Sequence, residues 1–129
     1  RKAMINFMCH IANTEEQAIQ EAKDALQEHA GAFGKVMKGQ QWDTDYAGEI
    51  SILLRMCEGD DWRDVFRRRT LICTPEQTAE RIQHCLDLGF TEISIVPRYA
   101  GLTHEHCTNT MHRITEEVLP MLRQSAQVT

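Results

Sequence analysis

The feature that most constrains the fold of this chain is a pair of consecutive strand-to-helix units in its last third, between Thr70 and Arg123. The first unit begins with Leu71–Cys73, a short apolar run typical of a β-strand. Thr74-Pro75-Glu76-Gln77 then predicts the start of a helix: the threonine can cap it, the proline suits its first turn, and the glutamine can close a capping box. We expect this helix to end at Gly89.

The second unit follows directly. Glu92–Pro97 predicts another strand, and the loop Arg98–Gly101 leads to a helix that opens at Thr103. Both strands are nearly continuous in apolar residues, which is typical of parallel strands covered by helices. In folds of this kind the functional groups lie at the carboxyl ends of the strands.

A third unit precedes these two. Ala3–Ala12 is rich in Met, Ile, Phe and Cys, as expected of a strand buried on both faces. Asn13–Gln17 supplies a cap, acidic first-turn residues and a second capping box for the helix that follows. The apolar stripe of this helix is predicted to contain Ala18, Ile19, Ala22 and Leu26.

The segment between the first and second strands is an elaboration of this pattern. Gly31–Tyr46 carries several glycines without a clear period and predicts an irregular loop. Helical spacing then predicts a helix from Asp45 to Gly59 and a shorter helical turn over Asp60–Arg67. Near the end of the chain, Pro120 lies inside the last predicted helix, where we expect a kink.

Length and composition narrow the function classes. The chain has 129 residues, which suffices for a single domain spanning residues 1–129 but excludes a complete eight-fold barrel of about 250 residues. A net charge of −5, with basic residues scattered among acidic ones, argues against nucleic-acid binding, and no apolar run predicts a membrane span. Five widely spaced cysteines suit reduced thiols and a cytoplasmic location. Because Arg1 precedes the first strand almost immediately, we expect the chain to be part of something longer.

Right-handed crossovers would bring the ends of the three parallel strands to one edge, which would carry His10, Thr74, Arg98 and Tyr99. His10 is the candidate catalytic residue as a general acid or base, and the alternative is an interior histidine with a structural role. Thr74 at a helix start and Arg98 on the next loop could hold a cofactor phosphate, or be only a cap and a surface residue. Tyr99 could stack on a ring or simply pack.

We predict no metal site. His104 and His106 would project about 200° apart on a helix and so cannot face one ion together, and His104 with Cys107 lacks a second pair of ligands. Cys73 precedes a helix start that could lower its pKa, with an inert buried thiol as the alternative.

Three stretches together resemble the carboxyl-terminal part of the bacterial luciferase-like flavin monooxygenases. They are Thr74-Pro75-Glu76-Gln77-Thr78-Ala79-Glu80-Arg81-Ile82, Leu88-Gly89-Phe90-Thr91-Glu92-Ile93-Ser94-Ile95 and Glu116-Glu117-Val118-Leu119-Pro120-Met121-Leu122. Ala12-Asn13-Thr14-Glu15-Glu16-Gln17-Ala18 is similar to that family's strand-to-helix step. The resemblance spans nearly the whole chain in the right order, although Cys73 stands where the family commonly has glycine.

The resemblance implies a partial (β/α)₈ TIM barrel consisting of the last three parallel strand-helix units with an extra helical insertion. It also implies an enzyme that uses reduced FMN, or alternatively the deazaflavin coenzyme F420, to oxidise a small organic substrate. The family's flavin site draws much of its apparatus from the earlier strands, so we expect the isolated chain to be inactive.

Two alternatives stand beside this interpretation. The chain could be a non-catalytic half-barrel that serves as an assembly or binding module, or a small α/β domain of flavodoxin-like topology that binds a phosphate-bearing ligand at the same edge. A three-stranded sheet leaves two open edges. We therefore expect the chain to pair with the remainder of the barrel or with a second copy of itself.

Overall fold

The computed structural model describes residues 1–37, 67, 70–98 and 101–126, and shows a mixed α/β fold. Three strands, β1 (Met4–Ile11), β2 (Leu71–Cys73) and β3 (Glu92–Val96), form one parallel sheet. The helices that follow them are α1 (Glu15–Met37), α2 (Pro75–Asp87), α3 (His104–Arg113), a π-helical turn (Ile114–Val118) and α4 (Leu119–Ala126). The predicted α/β class with three parallel strands is confirmed.

The strand order is β2-β1-β3, so the first strand of the chain is the central one. Cys9, His10 and Ile11 of β1 lie opposite Leu71–Cys73 of β2, whereas β3 pairs with the earlier half of β1, Met4–Met8. In a barrel made of successive strand-helix units, the second strand would lie between the first and the third. Here β1 lies between the other two strands instead, so the strand order does not confirm the partial barrel, which stays a prediction.

Helices pack on both faces of the sheet, because alternate residues of each strand point to opposite faces. On one face, Met8, Ile72 and Val96 pack with the buried residues of α1, which are Ala18, Ile19, Ala22 and Ala25. On the other face, Cys9, Leu71 and Ile95 pack with residues of α2, the π-helical turn and α4, namely Ala79, Ile82, Ile114, Val118, Met121 and Leu122. The sheet is thus the middle of three layers.

Burial along β1 is uneven. Cys9, His10 and Ile11 are each at most 1% exposed, whereas Met4 at the other end is 65% exposed. The prediction of a strand buried on both faces is therefore correct only for its carboxyl half. That half is the part flanked by β2 and covered by α1, so the buried core lies next to the edge where functional groups were expected.

Helix α1 begins as predicted, with the Gln17 amide N–H donating to the Thr14 hydroxyl at 3.1 Å. The predicted loop from Gly31 was wrong in its first part, because α1 continues through Gly31 and Gly34 to Met37. A glycine costs a helix about 1 kcal/mol relative to alanine but does not by itself end it. The rest of that loop, and the helices predicted over Asp45–Gly59 and Asp60–Arg67, lie outside the described residues except for Arg67.

Helix α2 forms with the predicted signals. Thr74 and Gln77 make a complete capping box, with the Gln77 N–H donating to the Thr74 hydroxyl and the Thr74 N–H donating to the Gln77 side chain. The helix ends at Asp87, and Gly89 follows with φ of 104°, a conformation that glycine adopts without strain. The predicted boundaries of this unit are confirmed.

The last helix is interrupted just before its proline. The Thr103 side chain caps α3 as predicted, and the helical chain then runs through the π-helical turn into α4. Across this turn the Leu119 N–H donates to the Ile114 carbonyl, five residues back. Pro120 has no N–H and its ring crowds the preceding turn, so a widened turn accommodates it. The expected disturbance at Pro120 therefore takes the form of a π-helical turn.

Among residues 1–37, 67, 70–98 and 101–126, no helix is both long enough and apolar enough to cross a membrane.

Candidate functional site

An open pocket of about 960 Å³ lies at the carboxyl end of β1, between the start of α1 and one side of α3. Asn13, Gln17 and Glu21 line it from the α1 side, and His104 and His106 line it from α3. Its volume is within the range of small-molecule sites, about 300–1,000 Å³. This is the edge at which parallel α/β sheets bind their ligands.

His10 lies directly beneath the wall of this pocket. It is the next-to-last residue of β1, it points to the α1 face of the sheet, and only 1% of it is exposed. Its Nε2 lies 2.6 Å from Oε2 of Glu21, which belongs to α1. His10 does not itself line the pocket, so it reaches a ligand there only through its neighbours.

Glu21 is the neighbour on the α1 side and lines the pocket. Its second oxygen, Oε1, accepts a hydrogen bond from the Gln17 side-chain amide at 2.9 Å. Gln17 therefore does not complete the predicted second capping box with its side chain; it braces Glu21 instead. Burial alone would raise the pKa of Glu21, but the hydrogen bonds from His10 and Gln17 outweigh it and lower this pKa below 4.5.

The protonation states of the pair follow from these contacts. Burial lowers the pKa of His10 below 6.5, although the Glu21 carboxylate partly opposes this shift. At neutral pH the pair is therefore a neutral imidazole whose Nε2–H donates to an ionised carboxylate. In this tautomer, Nδ1 of His10 carries a lone pair.

His106 is the neighbour on the α3 side. Its ring meets the His10 ring edge to face, with ring centroids 5.4 Å apart and an interplanar angle of 76°. Nδ1 of His10 and Nδ1 of His106 are both buried, and within the described part of the chain neither has a hydrogen-bond partner. Buried polar atoms without partners are uncommon in native proteins, and a catalytic role is one reason for them. His10, Glu21 and His106 form what we call the His–Glu–His cluster.

The pocket lining contributed by α3 and the π-helical turn is acidic. Glu105, Glu116 and Glu117 lie in it together with Arg113, whose Nε donates to the Glu117 carboxylate at 2.7 Å. Glu116 and Glu117 belong to the π-helical turn. With Glu21 the lining carries four carboxylates against one guanidinium, so the pocket favours neutral or cationic groups over a phosphate.

Thr74 lies at the start of α2, as predicted, but its hydroxyl already accepts the Gln77 N–H of the capping box. Gln77 also donates to Glu15 at 2.6 Å, and Glu15 accepts a second hydrogen bond from Arg67 at 2.7 Å. A carboxylate of the protein thus sits beside this helix start. Thr74 does not line the pocket above His10. Its predicted role as a phosphate-binding residue stays a prediction.

Arg98 lies just after β3 with an exposed side chain, and it does not line the pocket either. Tyr99 lies outside the described residues. The structure therefore brings His10 together with Glu21 and His106, and it does not bring His10 into contact with Thr74 or Arg98.

The surroundings of Cys73 suit a structural role. Burial raises the pKa of the Cys73 thiol, although a hydrogen bond with the Thr78 hydroxyl at 3.2 Å partly opposes this. A thiol held in its protonated form is a poor nucleophile, which agrees with the alternative that Cys73 is an inert buried cysteine. In the portion of the chain that is described, no three His, Cys, Asp or Glu side chains are placed to hold a metal ion.

Glu21 is the residue that sequence reasoning missed, although the sequence contained a signal. Glu21 is three residues after Ala18 and four before Ala25, both of which are buried against the sheet. It therefore falls on the apolar stripe of α1, and a carboxylate there requires a buried partner. His10, at the end of the preceding strand, was the available partner.

The chain was also compared with known proteins. No protein-family model matches it, and no characterised protein gives a significant sequence match.

Proposed function

We propose that this chain forms part of the active site of a flavin-dependent oxidoreductase of the luciferase-like monooxygenase type, acting on a small organic substrate. The observation that supports this most is the hydrogen-bonded His10–Glu21 pair behind a ligand-sized pocket at the carboxyl edge of a parallel sheet. The series of resemblances along the sequence is the reason for choosing this class over other enzymes that use such an edge.

The pocket suits one part of a flavin better than the other. The isoalloxazine ring offers uncharged donors and acceptors, which match the side chains of Asn13, Gln17 and His106. The phosphate of FMN does not fit beside four carboxylates, and would be held instead by Arg98 and the start of α2, as expected from the sequence. When bound, the flavin supplies the redox chemistry.

The chain's own residues would then have distinct tasks. Glu21 and His106 face the pocket and are placed to exchange protons with a ligand, because carboxylate and imidazole groups commonly act as general acids and bases. His10 would act behind them, because its Nε2–H fixes the orientation of the Glu21 carboxylate. His10 is on this view a positioning residue.

Flavin binding by the complete protein that contains these 129 residues would test the proposal. Oxidised FMN and the deazaflavin would each be titrated into the protein, with binding followed by flavin fluorescence. We expect one of them to bind, and Glu21→Gln and His106→Gln to weaken binding or turnover. His84→Gln, which changes an exposed histidine of α2 that does not line this pocket, should not weaken either. Absence of binding by both flavins would refute the proposal.

A second candidate is favoured by one specific observation. The order β2-β1-β3, with helices on both faces, is the order in which flavodoxin-like doubly wound sheets begin. On this alternative the chain is a binding domain for a phosphate-bearing ligand at the same edge. Cooperative unfolding of the isolated 129-residue chain and binding of FMN without any partner would favour it over the barrel fragment.

A further inference from the structure

We propose that the His–Glu–His cluster is a proton-controlled latch, which holds the first turns of α3 against α1 and the end of β1 at neutral pH and releases them on acidification. This inference concerns the movement of α3, and does not depend on which ligand the pocket takes. It rests on three contacts that converge at one point of the fold.

The first contact joins β1 to α1. Nε2 of His10 lies 2.6 Å from the Glu21 carboxylate, and the His10 ring is almost completely buried. The second contact joins β1 to α3, because the His106 ring packs edge to face on the His10 ring. His10 is therefore the member that the other two elements share.

The third contact is a backbone tie. The Ile11 N–H donates to the Thr110 hydroxyl at 3.2 Å, and Thr110 lies one helical turn after His106 on the same side of α3. Ile11 and Thr110 are both at most 1% exposed. The position of α3 therefore depends on a small buried area next to a titratable pair.

The charges that act on His10 come from two elements. Glu21 on α1 stabilises a protonated His10, whereas His106 on α3 opposes it once both rings are charged. Within the described residues, β2 contributes only the apolar Ile72 at the register position of His10. A protonated His10 would also carry a buried Nδ1–H, and no acceptor for it lies in the described part of the chain.

The direction of the pH effect follows from these surroundings. The pKa of His10 is lowered below 6.5 in the folded protein, so just below pH 6.5 an opened state takes up a proton more readily than the closed state. The neutral pair contributes its full stability above pH 6.5, and the contribution is lost as pH falls through the lowered pKa. Separating the two rings and hydrating His10 removes the cost of a buried charge on His10 beside His106. The start of α3 is exposed, so we expect it to be the part that moves.

Hydrogen exchange on the protein that contains these 129 residues tests this inference. Protection of α3 amides would be measured at about pH 7.5 and about pH 5.5, corrected for intrinsic exchange rates, with α2 amides as an internal reference. We expect protection of α3 to fall several-fold more than protection of α2. His106→Gln should reduce the difference, because burial still lowers the pKa of His10 but no charge on residue 106 opposes a protonated His10.

Two further variants complete the design. His10→Gln retains an N–H donor for Glu21 without titrating, and should remove the difference. His112→Gln removes an exposed histidine of the same helix and should leave it unchanged. An equal fall in α2 and α3 in the wild-type chain, or an undiminished α3 response in His106→Gln, would overturn the proposal.

Discussion

The hydroxyl of Thr110 is expected to be a principal tie between α3 and the sheet, and Thr110→Val tests this. The Ala12 N–H donates to the Cys73 carbonyl of β2, and N–H groups alternate in direction along a strand, so the Ile11 N–H points to the β3 side. There β3 has already ended, since its last residue, Val96, pairs with Met8. The Thr110 hydroxyl takes the place of the missing strand.

The magnitude follows from burial. Valine has nearly the shape of threonine, so the substitution removes the acceptor and leaves the Ile11 N–H buried and unpaired, at a cost of about 1–3 kcal/mol. In urea, a chain of this size loses about 1–3 kcal/mol of stability per molar denaturant, so we expect the midpoint to fall by about 1 M. Thr110→Ser retains the hydroxyl and should lose only about 1 kcal/mol for its missing methyl group.

Urea unfolding followed by circular dichroism is the assay, and Thr115→Val is the matched control. Thr115 lies in the π-helical turn that follows α3, is exposed, and donates to the Met111 carbonyl, so its loss leaves no buried donor unpaired. We expect this control to stay within about 0.5 kcal/mol of the wild-type chain. If Thr110→Val destabilises the protein no more than Thr115→Val does, the reasoning about the Ile11 N–H is wrong.

Substitutions at three further positions test other parts of the fold. Gly89→Ala should cost about 1 kcal/mol from backbone strain alone, because Gly89 has a φ of 104° and an added Cβ would meet nothing within 4 Å; an unchanged urea midpoint would contradict this. Thr74→Ala should cost about 1 kcal/mol by removing the α2 cap, whereas Thr74→Ser should cost much less, and equal losses would exclude the hydroxyl as the cause. Burial alone would raise the pKa of Glu15, but hydrogen bonds from Arg67 and Gln77 outweigh it and lower this pKa below 4.5. The contribution of Glu15 to stability is therefore full above pH 4.5 and is lost as pH falls. Glu15→Gln should flatten the acid side of the stability curve, and an unchanged slope would refute that role.

The boundaries of the helices were readable from the sequence because their determinants are local. The caps at Thr74 and Thr103 each involve a side chain and a backbone N–H three residues later, so the whole interaction lies within four residues of sequence. The position of His10 at the end of a strand was readable for the same reason. The part of the candidate site that could be predicted is therefore the part that depends on the order of residues along one element.

The partners of His10 could not be assigned in the same way, because they depend on how elements pack. Glu21 meets His10 only when α1 lies on that face of the sheet with its alanine stripe inward. His106 meets His10 only when α3 crosses the carboxyl edge, and it is separated from His10 by most of the chain. On sequence alone His106 was considered beside His104, its neighbour along the chain, whereas the ring it contacts belongs to β1.

Strand order was the other feature hidden from the sequence, and it bears directly on the site. Strands that are apolar on both faces look alike, so their composition does not tell a central strand from an edge strand. Once β2 and β3 lie on opposite sides of β1, right-handed crossovers run in opposite directions and must place α1 and α2 on opposite faces. The strand order therefore determines the three-layer arrangement. It places the end of β1 where the two crossovers diverge, and His10 occupies that point with a neutral ring, an ionised partner and a second imidazole beside it.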